Sequence, residues 1–259
     1  MPLFSQTQGN PAHPALVFLH GFLGSHQDWF ETIEQLKNNF YCISLDLPGH
    51  GHSVTTVSPL QGGFASCHRL IKNALDDLQL QKYVLIGYSL GGRIALDYAR
   101  TQNDTRIQGL LLESCHSGLI SGSEKELRYK HDLQWAKRFA TQSVSDSLYE
   151  WYEQDIFSDL STEQKDRVIE KRSHNYGVCL ANMLLSTSLA KQSDALPFML
   201  SCGLPVYYCF GEKDKKFKQL STRFSAANIQ VTEFFGLGHN LHQQDPLQYA
   251  QFIQQHFSE

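Results

Sequence analysis

The chain predicts an α/β fold: a doubly wound, mostly parallel sheet with a helical segment inserted in its second half. Short, nearly continuous apolar runs of four to six residues recur along the sequence, and such runs suit parallel strands buried on both faces. Segments of helical period lie between most of them, the alternation that builds a parallel sheet through crossover helices. With 259 residues, 41% apolar and 19% charged, the chain has the material for one large core.

The first predicted strand is Ala15-Leu16-Val17-Phe18-Leu19, followed by a helix from Trp29 to Leu36. The strand Tyr41-Cys42-Ile43-Ser44-Leu45 runs into Pro48-Gly49-His50-Gly51-His52-Ser53, whose histidines read as turn chemistry and not as a metal site. A helix from Phe64 to Leu80 leads to the strand Tyr83-Val84-Leu85-Ile86. A helix from Leu90 to Arg100 leads to the strand Ile107 to Leu112. Residues 117–197 break the alternation, being rich in charged and aromatic side chains with no strand pattern. Ser123-Glu124-Lys125-Glu126 and Ser161-Thr162-Glu163-Gln164 have the spacing of capping boxes. Three or four helices are expected there, inserted in a core of residues 1–116 and 198–259 and lying over the carboxyl edge of the sheet as a cap. The strands Val206 to Phe210 and Ile229 to Phe234, with helices from Phe217 to Ala227 and Leu247 to Phe257, complete the core.

Composition narrows the function classes. With 26 acidic and 22 basic side chains the net charge is −4, a poor balance for nucleic acid unless basic groups cluster. The first ten residues lack a basic start and a long apolar segment, so no secretion signal is expected. No window approaches the roughly 20 apolar residues of a membrane span. A soluble, cytoplasmic, monomeric protein is expected, with neither nucleic acid nor membrane as partner. Its six cysteines form no C-x-x-C pair and read as buried reduced thiols. No phosphate loop, dinucleotide fingerprint or metal-ligand cluster stands out, so no cofactor is expected.

The chemistry starts from Gly87-Tyr88-Ser89-Leu90-Gly91, set between a predicted strand and a predicted helix. That arrangement is a nucleophile elbow, a tight turn that pushes the serine hydroxyl out over the carboxyl end of the sheet. Serine is unreactive at neutral pH unless a base takes its proton. Asp214, in Phe210-Gly211-Glu212-Lys213-Asp214, and His239, in Gly236-Leu237-Gly238-His239-Asn240, each follow a strand and stand in the order nucleophile, acid, histidine. The carboxylate would fix the imidazole tautomer and stabilise its charged form. Glu113, at the end of an earlier strand, is the competing acid.

Two backbone N–H donors are needed to hold an oxyanion. They are expected at Leu90 and, in the loop His20-Gly21-Phe22-Leu23-Gly24, at Phe22. Arg93, in the first turn of the helix after Ser89, sits where the dipole disfavours a cation. It is either half of a structural ion pair or an anion-binding group. Arg128 and Arg172 read as solvated helix faces, and Trp151 and Tyr152 as cap core.

With elbow, acid, histidine and cap in place, the chain resembles the α/β-hydrolase superfamily over nearly its whole length. Within it, Gly87-Tyr88-Ser89-Leu90-Gly91-Gly92-Arg93, Gly211 to Phe217, Gly238-His239-Asn240, and the cap segments Gln134 to Phe139, Trp151-Tyr152 and Lys171 to Asn175 are similar to the 2-succinyl-6-hydroxy-2,4-cyclohexadiene-1-carboxylate synthases of menaquinone biosynthesis. The resemblance implies a lyase that eliminates pyruvate from a small-molecule tricarboxylate. Ser89 would abstract a ring proton with help from His239 and Asp214. It further implies that Arg93, Arg128 and Arg172 bind carboxylates, as guanidinium forks do, and that Tyr88, Trp151 and Lys216 line the site. A carboxylesterase or thioesterase with an acyl-enzyme on Ser89 is the alternative. His52 departs from the family, which carries a small residue there, and is expected to add bulk at the mouth of the site.

Overall fold

The computed structural model describes residues 2–54, 62–224 and 229–258. Its sheet contains β1 (Ser5–Gln8), β2 (Ala15–Leu19), β3 (Tyr41–Leu45), β4 (Tyr83–Tyr88), β5 (Ile107–Glu113), β6 (Val206–Gly211) and β7 (Gln230–Phe234). Their order is β1-β3-β2-β4-β5-β6-β7. Neighbours from β3 to β7 pair in parallel, while β1 pairs antiparallel to β3, with Ser5 opposite Leu45. β1 escaped the sequence reading because Ser-Gln-Thr-Gln has no apolar run; an edge strand with a half-exposed face needs none.

Around the sheet lie α1 (Phe30–Leu36), α2 (Gly63–Asp77), α3 (Leu90–Gln102), α4 (Gly122–Thr141), α5 (Val144–Trp151), α6 (Thr162–Arg172), α7 (Gly177–Ser186), α8 (Leu196–Ser201), α9 (Lys215–Ser221), α10 (Leu241–Gln244) and α11 (Pro246–Phe257). Each strand feeds two cores because its side chains alternate. Val17 and Leu19 join the residues of α2 and α3, whereas Leu16 and Phe18 join those of α1 and α11. Leu16→Ala would leave a cavity between β2 and α1, costing about 2–5 kcal/mol.

Between β5 and β6 the chain forms α4 to α8. Four of these helices build a third apolar cluster around Trp135, Phe139, Leu148, Tyr152, Ile169 and Leu180. The capping box at Ser161 and Gln164 is present, but α4 starts two residues before its expected box: Ser121 is the cap, its Oγ accepting the Glu124 N–H at 3.5 Å. The helix expected from Phe217 to Ala227 stops at Ser221, and Ala227 lies outside the described residues.

Candidate active site

β4 ends one residue before Ser89 and α3 begins one residue after it. The chain reverses direction there through φ 50° and ψ −107° at the serine, a conformation that a non-glycine residue holds only when its surroundings over-determine it. Glycines make the turn possible. A Cβ on Gly87 would come within 2.6 Å of the Gly91 backbone, and one on Gly91 within 2.2 Å of the Leu19 carbonyl oxygen. The Ser89 N–H donates to the Glu113 carbonyl on β5 at 2.9 Å. The hydroxyl faces a cavity of about 510 Å³ beneath the inserted helices.

Asp214 and His239 come together at this edge. His239 Nδ1 and Asp214 Oδ2 are 2.6 Å apart, both side chains being almost fully buried. Asp214 Oδ1 accepts the Phe217 N–H at 3.1 Å, so the same carboxylate also caps α9. The imidazole is stacked on Phe217 at 5.1 Å and touches the edges of Tyr88 and Phe157. Ser89 and His239 line the same cavity. Among the described residues no hydrogen bond closes between them.

Glu113 is not the partner of His239. It is turned to the far side of the histidine loop, with Oε2 2.8 Å from His242 Nδ1. Of the two acids, Asp214 is the one beside His239, and Glu113 is the one beside His242.

The loop carrying Phe22 is held by two neutral histidines. His20 Nδ1 donates to the Gly21 carbonyl, and its Nε2 accepts the Leu47 N–H at 2.9 Å. His50 Nδ1 donates to the Pro48 carbonyl, and its Nε2 accepts from Leu23 at 3.1 Å. An imidazolium could accept neither bond. Burial, with His20 nearby, pulls His50 down to about 3, and burial lowers His20 as well. Leu23 itself sits at φ 72°. The Phe22 ring packs between Phe139 and Trp151 and lines the cavity. Leu90, the first residue of α3, lines it too, with its N–H among the four that a helix leaves without an internal partner.

Three cationic residues line the Ser89 cavity: Arg93, Arg128 and Lys216. Arg93 is 8% exposed. Its Nη1 donates to the Thr187 carbonyl at 2.8 Å and, at the edge of hydrogen-bonding range, to Gln192 Oε1 at 3.4 Å. Among the described residues no carboxylate pairs with it, so the structural ion pair considered for it is not there. Burial and the Arg128 charge pull its guanidinium down to about 10, still a cation at neutral pH. Arg128 is aimed by Asp132, Nε to Oδ1 2.8 Å, and Asp132 is steadied by Ser188. Trp151 is half-buried: it lines the cavity and also packs on Trp135 and Phe139.

The three arginines do not share one cavity. Arg172 lines a neighbouring cavity of about 440 Å³, together with Tyr88, and this space meets the first at His239 and Phe157. Arg172 is not a solvated helix face. It is 7% exposed and donates to Tyr152 Oη at 2.5 Å and Asp28 Oδ2 at 3.3 Å, tying α6 to the core. Burial is outweighed by Arg172 and Lys171, which hold Asp28 down at about 2. The Arg172 Nε is buried without a partner among the described residues.

His52 does not stand at the mouth of either cavity. It packs on Phe4 at 4.6 Å, beside His26 and Asp46. His26, Asp46 and His52 bring ligand-type atoms within 4.8 Å of one another. The Asp46 carboxylate is already occupied there by the His26 and His52 N–H groups and by His26 Nδ1, which makes it the anchor of the 46–52 turn. Sequence reasoning missed His116. Gly118 N–H donates to its Nδ1 at 2.9 Å, leaving Nε2 to carry the proton, and it lines the Ser89 cavity. Burial and Lys216 pull it down to about 3. Only its place just past β5 could have signalled it. The cysteines are free, and burial raises Cys115, beside the elbow, to about 12.

The alpha/beta hydrolase family matches residues 16–252. The chain is 37% identical over 240 residues to the 2-succinyl-6-hydroxy-2,4-cyclohexadiene-1-carboxylate synthase of Yersinia enterocolitica serotype O:8, covering 93% of this chain and 85% of that protein. It is 37% identical over 239 residues to the protein of that name from Yersinia pestis bv. Antiqua, covering 92% and 85%. The structure of MenH from S. aureus superposes with a TM-score of 0.87 at 25% identity, over 96% of each chain. A thermophilic esterase from Thermogutta terrifontis shares the fold with a TM-score of 0.76 at 20% identity, over 98% of this chain and 92% of that one.

Proposed function

This chain belongs to the α/β hydrolase family and, within it, to the 2-succinyl-6-hydroxy-2,4-cyclohexadiene-1-carboxylate synthases, and on that premise we propose the reaction it performs and the residues that perform it. It is a lyase of menaquinone biosynthesis, eliminating pyruvate from 2-succinyl-5-enolpyruvyl-6-hydroxy-3-cyclohexene-1-carboxylate. The observation that carries the reading is Arg93, a buried cation in the first turn after Ser89 that lacks a carboxylate partner among the described residues. A neutral ester gains little from such a group. A multiply anionic substrate supplies the missing charge.

In this reading Asp214 holds the His239 tautomer with Nε2 directed to the cavity, and substrate binding brings the Ser89 hydroxyl to it. His239 takes the hydroxyl proton, and the alkoxide takes the ring proton α to a carbonyl. The electron pair moves onto the carbonyl oxygen, where the Phe22 and Leu90 N–H groups receive the enolate; one such donor is worth about 3 kcal/mol in the transition state. As the enolate collapses, the C–O bond to the enolpyruvyl group breaks; the departing enolpyruvate oxygen takes the proton held on the His239 imidazolium and tautomerises to pyruvate, leaving Ser89 and His239 as they began and no acyl-enzyme. Arg93, Arg128 and Lys216 hold carboxylates in the Ser89 cavity. Arg172 reaches a further one from the adjoining cavity, where Tyr88 stands beneath His239, and Trp151 covers the ring. Residues 117–197 act as a cap that excludes water from the enolate. The reading takes the enzyme to act in the cytoplasm, as a monomer, on a soluble metabolite; no helix among the described residues is long and apolar enough to cross a membrane.

The test measures pyruvate release from the enolpyruvyl tricarboxylate beside hydrolysis of a neutral aryl ester. The reading expects elimination to dominate; ester hydrolysis far faster than pyruvate release would overturn it in favour of an acyl-enzyme esterase.

A further inference from the structure

Glu113 is the last residue of β5, and its side chain is fully buried. It touches both halves of the site from below. Its carbonyl accepts the Ser89 N–H at 2.9 Å, pinning the elbow. Its carboxylate crosses to the segment just after His239: Oε1 accepts the Leu241 N–H at 2.7 Å and the His242 N–H at 3.4 Å, and Oε2 receives His242 Nδ1 at 2.8 Å. His242 is buried as well, stacked on Trp29 at 3.8 Å with the edge of Tyr88 at 5.1 Å. Its Nε2 has no partner among the described residues, so Glu113 is the ring's hydrogen-bond anchor.

We propose that Glu113 is a positioning residue that sets the separation of Ser89 and His239 by clamping the elbow with its backbone and the histidine loop with its carboxylate. The inference rests on the proton-abstraction reading above. With three donors on its two oxygens, the carboxylate is committed to the loop and acts on the reaction only through it. His239 lies two residues before the first clamped N–H, so releasing the loop moves the imidazole relative to Asp214 and Ser89. A displacement near 1 Å costs about 100-fold in rate. The substrate-binding cations sit on other elements and should not notice.

The experiment compares wild type, Glu113→Ala, Glu113→Gln and Ser89→Ala by pyruvate release, thermal unfolding and the low-field proton resonance of His239 Nδ1–H. Glu113→Ala is expected to lower kcat about 100-fold with KM changed less than about threefold, and to displace the His239 resonance though neither triad partner is altered. Glu113→Gln keeps the volume and one acceptor, and is expected to lower kcat about five- to tenfold with a smaller displacement; it carries the test if the alanine variant does not fold. A folded variant with kcat within about twofold of wild type, a loss confined to KM, or an unmoved resonance overturns the proposal. Retention of wild-type turnover by Ser89→Ala sinks the serine-base reading instead, and the His239 resonance still judges the clamp.

Discussion

Arg93→Met divides the two roles open to a buried arginine, because they carry opposite signs in stability. The drop from the ordinary arginine value to about 10 corresponds to roughly 3 kcal/mol against the charged form, at about 1.4 kcal/mol per tenfold. Methionine removes that burden and keeps much of the volume. It also strips Thr187 O of a donor at 2.8 Å and Gln192 Oε1 of a weaker one, which costs about 1–3 kcal/mol. The two effects nearly cancel, so the unfolding temperature should stay within about 4 °C of wild type. Catalysis should not be spared. Loss of a charge-assisted, desolvated contact to a substrate carboxylate costs about 2–4 kcal/mol, or roughly 30- to 900-fold in kcat/KM for pyruvate release. Hydrolysis of a neutral aryl ester, if measurable, should be unchanged. A fall of 10 °C or more, or equal losses on both substrates, would refute the reasoning and make Arg93 a structural residue.

Other outcomes follow from the same geometry. Asp214→Asn should lower kcat by about 10⁴-fold by presenting the wrong imidazole tautomer, against the five- to tenfold expected of Glu113→Gln; reversed magnitudes in the pyruvate assay would make Glu113 the acid. Stability should fall as pH drops from 7.5 to 5. His50 and His116 stay neutral in the fold, each at about 3, while the unfolded chain takes up their protons below about 6.5. Each then contributes about 2 kcal/mol of loss by pH 5, some 4 kcal/mol together, and the loss continues towards pH 3. Denaturant midpoints across that range check the slope, and His50→Gln, whose amide oxygen keeps an acceptor for the Leu23 N–H, should roughly halve the part due to this pair. Gly91→Ala should fail to fold or lose several kcal/mol, because its Cβ meets the Leu19 carbonyl at 2.2 Å and backbone there cannot give way; near-native unfolding would show that the elbow has slack.

Much of this was legible from residue types alone, where local chemistry and tertiary position agree. The elbow announced itself because glycines on both sides of Ser89 are required by contacts shorter than 3 Å. Asp214 and His239 could be read from their places after strands, since parallel strands deliver their carboxyl ends to one edge. What stayed hidden depends on partners far apart in sequence. Arg172 reads as an exposed face in sequence because nothing near it reveals Asp28, 144 positions away. His52 was placed by its turn, while its neighbours Phe4 and His26 come from other elements. Glu113 reads as a rival acid from its place at a strand end, and its partner His242 lies 129 residues further on. β1, all polar, carried no pattern to read.

The central claim, that a serine alkoxide removes the ring proton without acylation, is tested most directly by single-turnover pyruvate release from substrate deuterated at that carbon. Wild type should show a primary isotope effect and no mass added to Ser89, and Ser89→Ala should be slower by about 10²–10⁴-fold. Turnover by Ser89→Ala within tenfold of wild type, or a covalent adduct on Ser89 formed at the rate of turnover, would contradict it.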